Sequence, residues 1–231
     1  MTPSSDTQLS VSDYLEAELA PCRLQHRQIA AAWMNSPAFG VSYPAYLIEL
    51  YHLVRRHVPL LELAYARMDR SRREMRTFLE KHIEDETGHD EWILEDLRVL
   101  GHDPSDVKRS LPLSETIQEI GSQLYIIEYM RPQSFLGYVY VMQSASTPLE
   151  TLRELQVRHR IDPGAMTFWS RHSEIDIDHK QELVFVLDRY LTEPVERIEA
   201  SISAILGLSA YNRMIGRIHS GDFVSTFSMH N

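Results

Sequence analysis

Apolar residues recur at steps of three and four along nearly the whole chain, and no segment sustains the alternation of a half-buried strand. A 3.6-residue period belongs to amphipathic helices, so the chain is restricted to an all-α fold. Proline and glycine divide it into seven predicted helices. The first runs from about Ser12 to Met34, disturbed by Pro21, and Asn35-Ser36-Pro37 with Gly40 makes a loop. The second starts at Pro44 and reaches about Met68, with a kink at Pro59. The third is long, about Ser71 to Leu100, and stops at Gly101 ahead of Pro104. A fourth follows Pro112, with Ser114 as N-cap, and ends before Arg131-Pro132. The fifth spans about Ser134 to Arg158, and Asp162-Pro163-Gly164 is a turn. The sixth covers about Ala165 to Tyr190 and closes before Pro194. The seventh covers about Val195 to His219, interrupted near Gly207. Such helices with short links pack as a bundle. The expected layout is one helical domain over 11–220, a disordered lead-in over 1–10 and a polar tail over 221–231.

Charge and composition narrow the function classes. A net charge of −10 argues against a nucleic-acid surface and against a polybasic membrane patch. No run of apolar residues is long enough for a transmembrane helix. The start, Met1 to Ser10, has neither a basic n-region nor an apolar h-region and does not read as a secretory signal. The single cysteine, Cys22, excludes an internal disulfide and fits a reducing cytoplasm. Partners expected on these grounds are small molecules, and a homodimer is a common outcome for such domains.

One spacing occurs twice. His82, Glu86 and His89 repeat as His172, Asp176 and His179, ninety residues on. Offsets of zero, four and seven put three side chains within roughly 60° on one helix face. In the third helix these positions fill the missing steps of the stripe Met75, Leu79, Ile93, Leu97 and Leu100. In the sixth they continue the stripe of Phe168, Leu183, Val186 and Tyr190. Each triplet therefore turns inward, where an unpaired carboxylate and two imidazoles cost several kcal/mol per group. A divalent cation satisfies them together, and imidazole with carboxylate suits iron, manganese or zinc. The absence of cysteine from both stripes argues against structural zinc.

The chain resembles the heme-oxygenase-like di-iron oxidases, the iron-containing redox enzymes, from about Tyr43 to Tyr190. Three stretches carry the resemblance. Glu-Thr-Gly-His-Asp-Glu-Trp-Ile-Leu-Glu-Asp-Leu-Arg-Val-Leu-Gly (86–101) is similar to the family's third-helix ligand segment. Leu-Gly-Tyr-Val-Tyr-Val-Met-Gln-Ser-Ala-Ser (136–146) is similar to its fifth-helix segment. His172, Asp176 and His179 match its late ligand helix. The resemblance implies a seven-helix heme-oxygenase-like fold without heme, holding two irons that act with dioxygen on small amino acids, amines or fatty acids; the departure at Gln143 leaves one or two irons per chain as the expectation here. Carried over, Glu86, His89, His172, Asp176 and His179 are metal ligands. His82 stands where some members carry a glutamate ligand. Gln143 stands where the family usually has glutamate, and an amide is a weaker ligand without charge for a second ion. Glu49, Glu62 and Glu150 are the carboxylates available to replace it.

The leading expectation is a cytoplasmic non-heme iron oxidase or oxygenase, with manganese chemically permitted. Phe168, Tyr140 and Trp92 are expected to wall its cavity, and Arg56 to anchor a substrate carboxylate. Two alternatives stand beside it. In the first, a metal-free enzyme of the same fold uses its histidines as acids and bases. The thiaminase branch of that fold needs a cysteine nucleophile, for which Cys22 fits poorly. In the second, the chain is a catalytically weak metal-binding or interaction protein.

Overall fold

The computed structural model describes residues 9–144 and 147–222, apart from the side chains of Glu174, Asp176, Ile177 and Asp178. Residues 1–8 of the expected lead-in (1–10) and residues 223–231 of the expected tail (221–231) lie outside the described residues. Described secondary structure is helical throughout. It comprises α1 (Val11–Met34), α2 (Phe39–Arg67), α3 (Arg73–Glu86), α4 (His89–Val99), α5 (Pro104–Arg109) and α6 (Ser114–Tyr129). It continues with a 3-10 turn (Pro132–Phe135), α7 (Leu136–Gln143) and α8 (Leu149–His159). A second 3-10 turn (Pro163–Ala165), α9 (Thr167–Tyr190) and α10 (Pro194–Ser220) complete it.

The all-α reading holds, and several boundaries change for physical reasons. Ser10, the last residue of the expected lead-in, caps α1 by accepting from the Asp13 amide at 3.1 Å. Pro21 leaves α1 continuous. α2 begins at Phe39, a full turn before Pro44. Phe39 and Tyr43 are completely buried, so packing of that turn outweighs the hydrogen bond that Pro44 cannot donate. The long third helix divides after Glu86, because Gly88 takes φ +89° between α3 and α4. That left-handed conformation is open to glycine at little cost. The expected fifth helix is a 3-10 turn, α7 and α8 in succession. α10 runs without interruption through Gly207. A Cβ at Gly207 would stand 2.4 Å from Tyr138 Cδ2, so this glycine makes room for a ring rather than breaking a helix.

α10 packs against α1, α6 and α7, while α2 packs against α3, α4 and α6, and α9 touches α4, α7 and α3. The core forms two apolar clusters. One gathers Leu60 and Leu61 of α2, Met75 and Leu79 of α3, and Leu183 and Leu187 of α9. The other gathers Tyr46 and Leu50 of α2, Ile93 and Leu97 of α4, and Phe168 of α9. Along α2, along α3 and α4, and along α9, the histidines and Glu86 fall in sequence between the members of the two clusters. They form a polar layer enclosed by apolar packing on both sides.

Candidate metal centre and substrate cavity

Four helices deliver this layer, α2 contributing His57. The last turn of α3 brings His82 and Glu86, which are 2% and 9% exposed. The start of α4 brings His89, also buried. α9 brings His172, half-buried, and His179, buried. Glu86 is the common member. Its Oε2 lies 2.9 Å from His89 Nδ1, and its Oε1 lies 3.8 Å from His82 Nε2 and 3.6 Å from His179 Nδ1. Two groups of potential donors share it: His57, His82 and Glu86, and Glu86, His89 and His172, each with its ligand atoms within 4.8 Å of one another.

The sequence reading placed His82, Glu86 and His89 on one helix face. The structure corrects this: His89 is the first residue of α4, beyond the break at Gly88. It is the break, together with tertiary packing, that brings it back to Glu86. The second triplet does ride one helix, but its histidines diverge. The His172 ring meets the His89 ring at 4.9 Å, and the His179 ring meets that of His82 at 5.2 Å. Asp176 falls between them on α9, and its side chain lies outside the described residues.

Burial pushes His82 down to about 3 and His172 down to about 4, and lowers His57 as well. These imidazoles are therefore neutral and carry lone pairs near neutral pH. His172 Nδ1 donates to the Phe168 carbonyl at 2.9 Å, which leaves Nε2 as its free lone pair. His179 Nε2 stands 3.4 Å from Asp85 Oδ2, so that its Nδ1 is the nitrogen near Glu86. Burial alone would raise the Glu86 carboxyl, but the adjoining His89, His57 and His82 outweigh it and hold Glu86 well below the usual carboxylate range.

Buried atoms without partners test whether this donor set fits a metal. His89 Nδ1, His179 Nδ1 and Gln143 Oε1 are buried with no hydrogen-bond partner among the described residues. Each such atom costs about 1–3 kcal/mol when left unsatisfied. A cation held by Glu86 and these imidazoles would satisfy the two nitrogens, and nitrogen with carboxylate oxygen is the donor chemistry of iron, manganese and zinc sites. The residues present fit the group.

A cavity of about 140 Å³ opens beside the layer. Glu86, His57, Gln143 and His172 line one part of it, and Trp33, Tyr46, Trp169 and Tyr211 wall another. Phe168 lines it as expected and stacks on His172 at 4.0 Å. Trp92 stacks on His89 at the same separation but does not itself line the cavity, contrary to expectation. Other expected residues are placed elsewhere. Tyr140 is buried but hydrogen-bonds Glu16 at 2.5 Å, away from the cavity lining, and Tyr138 takes the cavity position. Arg56 is exposed and does not line the cavity.

Gln143 does line it, with Nε2 3.2 Å from His82 Nε2. Glu49 instead accepts from the Leu113 amide and the Thr116 hydroxyl, while Glu62 and Glu150 are exposed. Cys22 contacts Ser209 on α10 at 3.5 Å and does not line the cavity. His57 was missed in the sequence. Its signal was present, because it continues the inward stripe of Tyr46, Leu50, Leu53, Leu60 and Ala64, but it has no acidic partner at helical spacing to draw attention.

The family described as iron-containing redox enzymes matches residues 44–211. The chain belongs to this family. Solved structures share its heme-oxygenase-like fold. A domain of unknown function with that fold from Shewanella denitrificans OS217 is 21% identical, with a TM-score of 0.76, covering 96% of this chain and 93% of its own. A TenA homolog from Pseudomonas syringae pv. tomato DC3000 has a TM-score of 0.74 at 12% identity, covering 95% of this chain and 98% of its own. A CADD-like protein of unknown function from Nostoc punctiforme PCC 73102 has a TM-score of 0.68 at 19% identity, covering 91% and 96%. At these identities the similarity speaks for the fold. No curated protein matches the chain. In this iron-containing redox family member, no helix among the described residues is long and apolar enough to cross a membrane.

Proposed function

We propose that the chain is a non-heme iron oxidoreductase that acts with dioxygen on a small molecule held in the cavity. The observation that carries this reading is Glu86, a buried carboxylate held ionised by the histidines around it and shared by two groups of potential ligands. Glu86, His89 and His172 would hold one ion, with Asp176 and His179 on the same helix as His172 available to it. His57 and His82 would hold a second, more weakly, because Gln143 brings no charge. The metal, iron or by the same ligands manganese, would supply one-electron chemistry toward dioxygen.

The chain's own residues supply the rest. Aromatic walls exclude water and position a substrate beside Glu86 and His172. The Phe168 carbonyl fixes the His172 tautomer, so that its Nε2 stays unprotonated. A metal-free acid–base enzyme is less well served by this site, since imidazoles held down to about 3 and 4 are weak bases near neutral pH. Anaerobic reconstitution with ferrous iron tests the proposal. Iron is expected to bind stoichiometrically, and His172→Ala and Glu86→Ala are each expected to weaken binding by about ten-fold or more with helicity unchanged. Iron stoichiometry and affinity unaltered in both variants would sink the site.

A further inference from the structure

The end of the cavity at α1 and α10 carries its own hydrogen-bonding set, and the protons on it can be counted. Asn212 is completely buried, and its Nδ2 donates to the Cys22 carbonyl at 3.0 Å. A carbonyl only accepts, so this contact fixes the orientation of the amide and presents Asn212 Oδ1 to His26 Nδ1 at 2.8 Å. An amide oxygen also only accepts, so the His26 proton sits on Nδ1. Nε2 is left as a lone pair on a ring that lines the cavity, with no partner among the described residues. Burial lowers His26 further and keeps this ring neutral.

Beside it, the Tyr46 and Tyr211 hydroxyls are 2.7 Å apart, and Trp169 Nε1 donates to Tyr46 at 3.2 Å. Whichever tyrosine donates within the pair, one hydroxyl hydrogen remains with no acceptor among the described residues. The His26 and Tyr211 rings stack at 5.8 Å. One acceptor and one donor therefore stand side by side in an aromatic pocket, and no lysine or arginine among the described residues lines the cavity.

We propose that His26 and the Tyr46–Tyr211 pair form a recognition subsite for an uncharged head group that both donates and accepts, an alcohol or a primary carboxamide, and that the substrate is a small apolar or aromatic molecule bearing such a group rather than a carboxylate. The proposal rests on reading the cavity as the substrate pocket. A carboxylate offers no donor to His26 and would be buried without a counter-charge. The cavity volume of about 140 Å³ suits a ligand of one aromatic ring, since apolar cavities of about 150 Å³ accept benzene.

Benzamide, benzyl alcohol and benzoate share that ring and differ in the head group. Their binding is to be read from quenching of the cavity tryptophans in the full chain after treatment with a chelator. Benzamide and benzyl alcohol are expected to bind about ten-fold or more tighter than benzoate. In His26→Phe, which keeps a ring against Tyr211, binding of the two neutral probes is expected to weaken about ten-fold while that of benzoate changes less. Benzoate binding as tightly as benzamide to the wild-type chain, or no binding by either neutral probe, would overturn the subsite even if His26→Phe does not fold. Iron stoichiometry, measured without these probes, reports separately on the metal reading.

Discussion

His89 Nδ1 stands 2.9 Å from Glu86 Oε2 across a helix break. The two atoms belong to different helices, separated by Thr87 and Gly88, and the imidazole is one of the groups that hold Glu86 ionised. A single continuous helix would set His89 by the rotation of the helix alone. The break lets α4 set it independently, with Trp92 stacked on its ring.

Gly88 controls that break. At φ +89° an alanine would be strained although nothing stands within 4 Å of its Cβ. Gly88→Ala is expected to lower unfolding free energy by about 1–2 kcal/mol and to weaken ferrous iron binding, whereas Gly88→Asn, which tolerates the left-handed region, should do less of both. Urea unfolding with iron titration measures the pair. An alanine variant as stable as wild type would show that the break does not depend on glycine.

Asp96 of α4 is completely buried and caps α9 from a distance. It accepts from the Thr167 amide at 3.1 Å, the Phe168 amide at 3.0 Å and the Thr167 hydroxyl. The cap ties the helix of His89 to the helix of His172. Asp96→Ala is expected to cost about 1–3 kcal/mol in urea unfolding, with Asp96→Asn retaining part of it. A loss below about 0.5 kcal/mol, the range of ordinary surface substitutions, would refute the coupling.

Gln143→Glu tests the weaker ion group. The glutamate would bring a second carboxylate beside His82 and Glu86. Bound iron per chain is expected to rise toward two, read by elemental analysis after anaerobic loading. Unchanged occupancy would mean that Gln143 does not limit the second ion.

Glu119 gives the fold a pH dependence that can be isolated. Complete burial raises its carboxyl to about 8 from an ordinary value near 4.5, while its Oε1 accepts from the Tyr138 hydroxyl at 3.0 Å. Between those two pH values the unfolded chain gives up this proton and the folded chain keeps it. Stability present at acid pH is therefore lost as pH rises, by up to about 1.4 kcal/mol per pH unit. Glu119→Gln keeps an acceptor for Tyr138 and does not titrate. Relative to wild type it is expected to be more stable at pH 8, with the difference shrinking toward pH 4.5 in thermal unfolding. A difference independent of pH would refute the shift.

What the linear sequence determined is the helical class and which faces turn inward, because a 3.6-residue period converts position directly into direction. That is why His82, Glu86, His172 and His179 were legible as inward residues, and why His57 could have been. Tertiary structure decided how the helices are rotated and where they stop. Tyr138 and Tyr140 are two residues apart on α7 and point roughly 200° apart. Only packing against Gly207 and Glu119 puts Tyr138 at the cavity and leaves Tyr140 to Glu16. Arg56 and His57 are separated by one step of about 100°, and the setting of α2 sends one outward and the other to Glu86. Pro21, Pro44 and Gly207 read locally as interruptions and lie within continuous helices, because burial on neighbouring helices outweighs the local cost. Gly88 reads as one glycine inside a helix, and becomes a boundary because packing draws His89 back toward Glu86.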